Sequence, residues 1–183
     1  IWSLKRKEAV SLKGHRGRVS SVAFAPSGNQ LYSGGEDRTV RVWDLDRGTH
    51  RVLTGHTDDV LVVASGPSGA ELASAGEDDP IRLGNLDRRD HRVLRGHQRA
   101  VTSLAFDPRG GRLVSGGEDR TVRVWDLKKS TSRILGTHDA RVSDLAFSGT
   151  GGLLASGSFD RTLKLWNLDT PPPPPPSGPG GWV

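Results

Sequence analysis

The side chains with the most chemical potential in this sequence are histidine, serine and aspartate residues that recur in a fixed order. The four sets are His15, Ser33 and Asp37; His56, Ser74 and Asp78; His97, Ser115 and Asp119; and His138, Ser156 and Asp160. These are the residue types of a hydrolytic triad, in which histidine takes a proton from the serine nucleophile. Catalysis needs one specialised copy with an oxyanion site and a pocket, whereas this constellation occurs four times, and no serine lies in a nucleophile-elbow glycine pattern. The repetition therefore favours structural hydrogen-bonded networks, and we expect no catalytic residue.

The remaining histidines and the glycine pairs indicate neither a metal site nor a nucleotide site. His50 and His91 are separated by the same interval as His15 and His56, so they follow the repeat and do not form a ligand cluster. The sequence has no cysteine and no spacing of two histidines with a carboxylate, so we expect no metal ion. The pairs Gly34–Gly35 and Gly116–Gly117 lie at strand–turn junctions, where glycine is expected to relieve backbone strain, and no glycine-rich phosphate loop is present. We therefore expect no cofactor and no small-molecule substrate.

The segments that carry these side chains are typical of short β-strands. Four segments begin at Leu12, Leu53, Leu94 and Leu135, which are equally spaced along the chain without insertion or deletion. In the first segment, an alternating run at 19–25 and a Pro-Ser-Gly turn precede two strand-like runs at 30–34 and 39–44, and a fourth follows near 51–54. Four short strands per repeat predict one propeller blade, a small twisted sheet that must pack against its neighbours.

Dipeptides near the two ends of each repeat resemble those of the WD-repeat (beta-transducin-like) family. Gly-His stands at 14–15, 55–56 and 96–97, and Trp-Asp stands at 43–44 and 125–126. The fourth repeat has Thr137–His138 and Trp166–Asn167 at these places. The resemblance covers about residues 1–170. It implies an all-β fold, a β-propeller of four-stranded WD-repeat blades.

The resemblance also implies a buried network in each blade that links a loop histidine, a second-strand serine, a turn aspartate and a third-strand tryptophan. The tryptophans that would complete the sets given above are Trp43, Trp125 and Trp166. In the second repeat, Gly84 occupies the tryptophan position and Ser65 the position of Phe24. Pro80 also falls at the entry of the third strand, where the other repeats have threonine. We therefore expect the second blade to be the loosest of the four.

The repeat register divides the chain into six segments: a remnant of a preceding blade at 1–11, WD repeats at 12–52, 53–93, 94–134 and 135–170, and a Pro/Gly-rich disordered tail at 171–183. The repeat at 53–93 is the degenerate one, and the repeat at 135–170 lacks its own outer strand. In the WD-repeat family that strand typically comes from the N-terminal part of the domain. We therefore expect the chain to be the C-terminal part of a larger ring of about seven blades, and an open arc of this kind to self-associate. The tail is either a solvated spacer or a ligand for proline-binding modules.

The charge distribution and the hydropathy of the sequence limit the classes of function that the protein can have. The net charge is +5, but 26 basic residues are interleaved with 21 acidic ones, so most charged side chains, Asp107 among them, are expected to be solvated. A phosphate track would need one continuous positive stripe. No apolar run approaches the roughly 20 residues that cross a bilayer.

The sequence therefore predicts a non-catalytic, cytoplasmic protein-interaction scaffold. Two alternatives remain: a regulatory C-terminal propeller whose kinase or signalling NTPase domain lies upstream, and a basic propeller associated with nucleic acid.

The resemblance also suggests where partners would dock. In WD-repeat proteins the loops before the first strand and between the second and third strands share the narrower top face, where protein partners commonly bind. Here those loops carry the candidate partner-binding residues Arg16, Arg18, Asp58, Arg99, Arg141 and Phe159. Phe159 replaces a glutamate of the other three repeats, and aromatic and arginine side chains dominate binding energy at interfaces. The alternative is that Phe159 packs against the neighbouring blade.

Overall fold

Every regular element in the computed structural model is a β-strand within residues 2–3, 8–88 and 90–169, which are the residues that the structure describes. Strands β1 (Trp2–Ser3) and β2 (Glu8–Ala9) form an antiparallel pair. No helix in the described part of the chain has the length and apolar character to cross a membrane. The interpretation of residues 1–11 as a remnant blade stays a prediction, and the tail at 171–183 lies outside the described residues.

Four antiparallel sheets follow in chain order, and we call them blades 1 to 4. Blade 1 comprises β3 (Val19–Phe24), β4 (Gln30–Gly35), β5 (Val40–Asp44) and β6 (Thr49–Leu53). Blade 2 comprises β7 (Val60–Ser65), β8 (Glu71–Gly76), β9 (Ile81–Asn85) and β10 (Asp90–Leu94). Blade 3 comprises β11 (Val101–Phe106), β12 (Arg112–Gly117), β13 (Thr121–Asp126) and β14 (Thr131–Thr137). Blade 4 comprises β15 (Val142–Phe147), β16 (Leu153–Ser158) and β17 (Leu163–Asn167). The expected all-β architecture of repeated propeller blades is confirmed.

The hydrophobic core lies between the blades, since the inner strands β3, β7, β11 and β15 pack against one another in succession. Blades 1 and 2 share a cluster that includes Tyr32, Val42 and Val60, and the next two interfaces have clusters of the same kind. Full burial of a valine or leucine side chain stabilises a fold by about 1.5–3 kcal/mol. Each blade is therefore held mainly by the blades packed against it, two for the inner blades and one for blades 1 and 4.

The glycine pairs at the ends of β4 and β12 allow a close approach of the chain. A Cβ atom at Gly34 would lie 2.5 Å from Cγ1 of Val60 in the next blade, and one at Gly35 would lie 2.5 Å from the carbonyl oxygen of Arg18. Neither glycine has a left-handed φ. The expectation that these glycines relieve backbone strain is wrong, because their function is to leave room for the neighbouring blade and the preceding loop.

The four blades do not close into a ring, and the two outermost sheets each expose apolar side chains. On blade 1, Val22 is 61% exposed and Phe24 55% exposed. On blade 4, Leu163 is 80% exposed and Leu165 76% exposed. The equivalent faces inside the arc are covered by the next blade.

We expect these two faces to drive self-association of the 183-residue chain, because exposed apolar surfaces of this kind associate in water. Sedimentation velocity should show a species larger than a monomer whose fraction grows with concentration. The double variant Val22→Lys, Leu165→Lys should shift the distribution toward monomer, whereas Lys substitution at the exposed polar residue Ser68 should not. A compact monomer of the parent chain at all concentrations would contradict this expectation.

Candidate functional site

The network of blade 1 is assembled from four different parts of the sheet. His15 lies in the loop before β3, Ser33 within β4, Asp37 in the turn between β4 and β5, and Trp43 within β5. His15 Nδ1 lies 2.9 Å from Asp37 Oδ1 and His15 Nε2 lies 2.7 Å from Ser33 Oγ. Trp43 Nε1 donates to the same Ser33 Oγ at 2.8 Å. The structure thus brings all four side chains into one hydrogen-bonded series.

A tight turn aims Asp37 at His15. Arg38 has a left-handed φ of 61°, and its amide donates to the carbonyl of Gly35 at 3.1 Å, which reverses the chain. The carboxylate also accepts hydrogen bonds from the Thr39 hydroxyl at 2.7 Å and the Arg16 amide at 2.9 Å. Burial alone would raise the pKa of Asp37, but these hydrogen bonds and the one to His15 outweigh it and hold the pKa well below its usual range. The carboxylate therefore stays charged and fixes the orientation of the imidazole.

Blades 3 and 4 repeat this geometry. In blade 3, His97 lies 2.9 Å from Asp119 and 2.6 Å from Ser115, which accepts from Trp125 at 2.8 Å. In blade 4, His138 lies 2.9 Å from Asp160 and 2.8 Å from Ser156, which accepts from Trp166 at 2.9 Å. The pKa of Asp119 is lowered because its bonds to His97 outweigh burial, and the pKa of Asp160 is lowered chiefly by the Thr162 hydroxyl.

Blade 2 keeps three members of the network and lacks the fourth. His56 lies 2.8 Å from both Asp78 and Ser74. Burial lowers the pKa of His56, although the hydrogen bond to Asp78 opposes this effect. Gly84 stands where the other blades have tryptophan, so blade 2 itself supplies no indole N–H to Ser74.

The network serines of blades 1, 3 and 4 are hydrogen-bonded on both sides. Ser33, Ser115 and Ser156 are buried, and each hydroxyl lies between a histidine nitrogen and an indole N–H. Within the described residues there is no group of three or more His, Cys, Asp or Glu side chains that could hold a metal ion.

Replacing Asp119 with alanine is expected to lower the free energy of unfolding by about 1–3 kcal/mol, because the buried His97 imidazole loses its acceptor. Urea denaturation followed by circular dichroism measures the change. The matched control is Asp46→Ala, which removes an exposed carboxylate from a surface turn and should change stability little. Equal shifts for the two variants would contradict the structural role of Asp119.

Asp107 is not a surface carboxylate, so the expectation that it is exposed is wrong. The residue is fully buried, at 0% exposure. Asp107 Oδ2 lies 2.6 Å from Arg112 Nη2, and Oδ1 accepts from the Arg109 amide at 2.9 Å. Asp169, after the last strand of blade 4, pairs with Arg109 at 3.0 Å. Burial alone would raise the pKa of Asp107, but the bonds from Arg109 and Arg112 outweigh it and lower the pKa. This cluster ties the end of blade 4 to blade 3.

Phe159 and Arg141 form a stacked pair on the surface of blade 4. The guanidinium carbon of Arg141 lies 3.9 Å from the centroid of the Phe159 ring. The ring is 60% exposed, so it does not pack into the interface with a neighbouring blade. Arg141 Nη1 also lies 3.4 Å from Glu118 Oε1 of blade 3. The pair therefore presents an aromatic surface to solvent beside an ion pair.

The other four candidate binding residues lie in the loops before the inner strands. They are Arg16, Arg18, Asp58 and Arg99, and all are exposed. Arg18 Nε lies 3.3 Å from Glu36 Oε1. Since these loops occupy equivalent places in successive blades, the residues lie at the same end of the blades as Arg141. That end combines charges of both signs with one exposed aromatic ring.

Comparison with known proteins agrees with this repeat architecture. The family described as "WD domain, G-beta repeat" matches residues 6–44, 48–79, 89–126 and 129–167. The chain is also similar to the periodic tryptophan protein 2 homolog of Neurospora crassa, with 51% identity over 43 residues. This similarity covers 23% of the chain and only 5% of the length of that relative.

Proposed function

The chain belongs to the WD domain, G-beta repeat family, and from this membership we propose that it is a non-catalytic protein-interaction scaffold whose partners dock on the surface around Arg141 and Phe159. WD repeats imply a role in protein interaction. The proposal that partners dock on this surface is supported by one observation, the exposed stacked pair of Arg141 and Phe159.

The stacked pair has the physical properties of a binding anchor. An exposed phenylalanine is costly in water, and three blades have glutamate at this place. The guanidinium of Arg141 holds the ring by a cation–π contact, so little rotamer freedom remains to be lost on binding. Aromatic and arginine side chains contribute most of the binding energy at protein interfaces.

The charges at this end of the four blades support a protein partner over nucleic acid. Arg18 and Arg141 are both paired with glutamates, and Asp58 adds a further negative charge on this face. A phosphate backbone would be repelled by these carboxylates. A mixed polar rim around an aromatic anchor is typical of a protein interface.

Charge reversal at the stacked pair should remove partner binding without unfolding the protein. Phe159→Glu and Arg141→Glu are each expected to reduce recovery of partner from a lysate of the source organism at least tenfold, while Arg99→Glu at the edge should have a smaller effect. Each variant should melt like the parent, because both side chains are exposed.

Phe24→Glu is the matched control, since it changes an equally exposed phenylalanine on the open face of blade 1. Partner recovery should be retained in this variant. Undiminished recovery with Phe159→Glu and Arg141→Glu would show that the docking surface lies elsewhere, and loss of folding would show that the pair is structural.

A further inference from the structure

The indole ring of Trp43 occupies a well-defined site in blade 1. Its N–H donates to Ser33 Oγ at 2.8 Å, and its ring lies 4.4 Å from the imidazole of His50, centroid to centroid. The guanidinium carbon of Arg41 lies 5.9 Å from the centroid. A Cβ atom at Gly14 would lie 3.2 Å from Trp43 Cη2, so the far edge of the indole rests against this glycine. The site thus offers an acceptor, a ring to stack on, a cation and a gap for the ring edge.

Blade 2 retains these four groups but not the indole. Ser74, His91, Arg82 and Gly55 stand one full repeat after Ser33, His50, Arg41 and Gly14. Gly84 replaces Trp43, and a cavity of about 580 Å³ opens at that place, lined by His56, Ser74, Arg82, Gly84 and His91 among others. Cavities that hold small molecules have volumes of roughly 300–1,000 Å³.

The polar groups of this cavity are arranged to accept an N–H donor. His56 Nδ1 donates to Asp78, so its Nε2 accepts the Ser74 hydroxyl proton. The remaining lone pairs of Ser74 Oγ correspond to those that accept the indole proton in the other three blades. The Nε atom of Arg82 is buried and has no hydrogen-bond partner among the described residues, as is also true of Arg41 and Arg123 beside the tryptophans of blades 1 and 3, so this atom does not distinguish the cavity. Leu53 and Leu72 supply apolar walls.

We propose that this cavity is a binding site for a planar aromatic compound that carries a ring N–H, with indole as the simplest member of the class. The N–H of the ligand donates to Ser74 Oγ, and its ring lies between the imidazole of His91 and the guanidinium of Arg82. The ligand fills the space that tryptophan fills in the other blades. The volume leaves room for substituents on the ring.

Isothermal titration of indole into the full chain tests the proposal. We expect one site per chain that saturates below about 1 mM, an affinity within the range that so small a ligand can reach. 1-Methylindole, in which a methyl group replaces the donor proton, should bind at least tenfold more weakly. In Ser74→Ala this difference between the two compounds should disappear, because the acceptor is gone.

Gly84→Trp is the decisive variant, since it should restore the indole and abolish binding. A Cβ atom at Gly84 would lie 3.8 Å from the Leu72 carbonyl oxygen and 3.9 Å from that of Asp90, so the backbone accepts a side chain at this position, and we expect the cavity to receive its ring. Gly149→Trp, at an open surface position, is the control and should bind indole like the parent. Absence of saturable binding, equal binding of 1-methylindole to the parent, or undiminished binding to Gly84→Trp would overturn the proposal.

One further variant identifies the source of the ring. The chain has a tryptophan at position 182, outside the described residues, which could supply the same chemistry as a free compound. If Trp182→Ala binds added indole more tightly than the parent, the resident ligand is the chain's own side chain. If the affinity is unchanged, the site takes a free aromatic compound. Both results support an indole-binding cavity.

Discussion

Trp125→Ala is expected to destabilise the protein by about 3–5 kcal/mol, as large-to-small changes of buried aromatic residues do. Trp125 is 4% exposed and packs in the cluster between blades 2 and 3 with Leu94 and Leu127. Its N–H also satisfies Ser115 Oγ. The substitution therefore removes apolar contacts to two blades and leaves a cavity at their interface.

Chemical denaturation at equilibrium measures this loss. Phe24→Ala is the control, because its ring lies on the open face of blade 1, and a change of about 0.5 kcal/mol or less is expected there. Trp125→Phe should fall between the two, since it keeps most of the ring and loses the N–H donor. If Trp125→Ala cost no more than Phe24→Ala, the interface between the blades would not be the main source of stability.

Asp107→Ala is expected to lower the free energy of unfolding by about 3 kcal/mol, because it removes the buried member of an ion-pair cluster and leaves Arg109 and Arg112 with only the more exposed Asp169 as an acidic partner. Arg112 lies within 2.6 Å of the carboxylate and is itself largely covered. The loss also frees the Arg109 amide.

The midpoint of urea unfolding measures this loss of stability. Two further variants serve as comparisons. Asp107→Asn keeps the size and part of the hydrogen bonding, so it should lose less stability than Asp107→Ala. Asp46→Ala, at an exposed turn, should unfold like the parent. An Asp107→Ala variant as stable as Asp46→Ala would show that solvent replaces the carboxylate without cost.

Sequence analysis predicted the side-chain network that recurs from blade to blade, but it missed contacts that occur at one place alone. The constant repeat spacing identifies His15, Ser33, Asp37 and Trp43 as one register, and these side chains lie within hydrogen-bonding distance. Alternation of apolar residues and Gly-containing turns was sufficient for the strands, because each strand is short and its register is fixed by its hairpin.

Asp107 could not be assigned in this way, since the third repeat alone has a carboxylate at this place. Its second link is through Arg109 to Asp169, 60 residues further along the chain. Only the folded arrangement of two blades brings these charges together. The signal available in the sequence was the pair of arginines two and five residues after Asp107, which resembles ordinary surface charge.

Gly84 shows a different limit of sequence reasoning. The missing tryptophan was evident from the register, but the identity of its neighbours was not. His50 of β6 stacks on Trp43 of β5, and Arg41 approaches the same ring from within β5. Without knowledge of these contacts, the sequence predicts that His91 and Arg82 are ordinary strand residues. In the structure both residues line the cavity.

The packing of each inner strand on the next affects how the gene for a repeat protein of this kind can change in evolution. Because β3, β7, β11 and β15 each pack on the next in line, an in-frame duplication or deletion of one repeat would disturb only the two joints where it was made. Unequal recombination between the nearly identical stretches at 31–45 and 113–127 would therefore add or remove whole blades. The cavity at Gly84 is lined by residues of blades 1 and 2, so it would be copied or lost only together with the joint between these two blades.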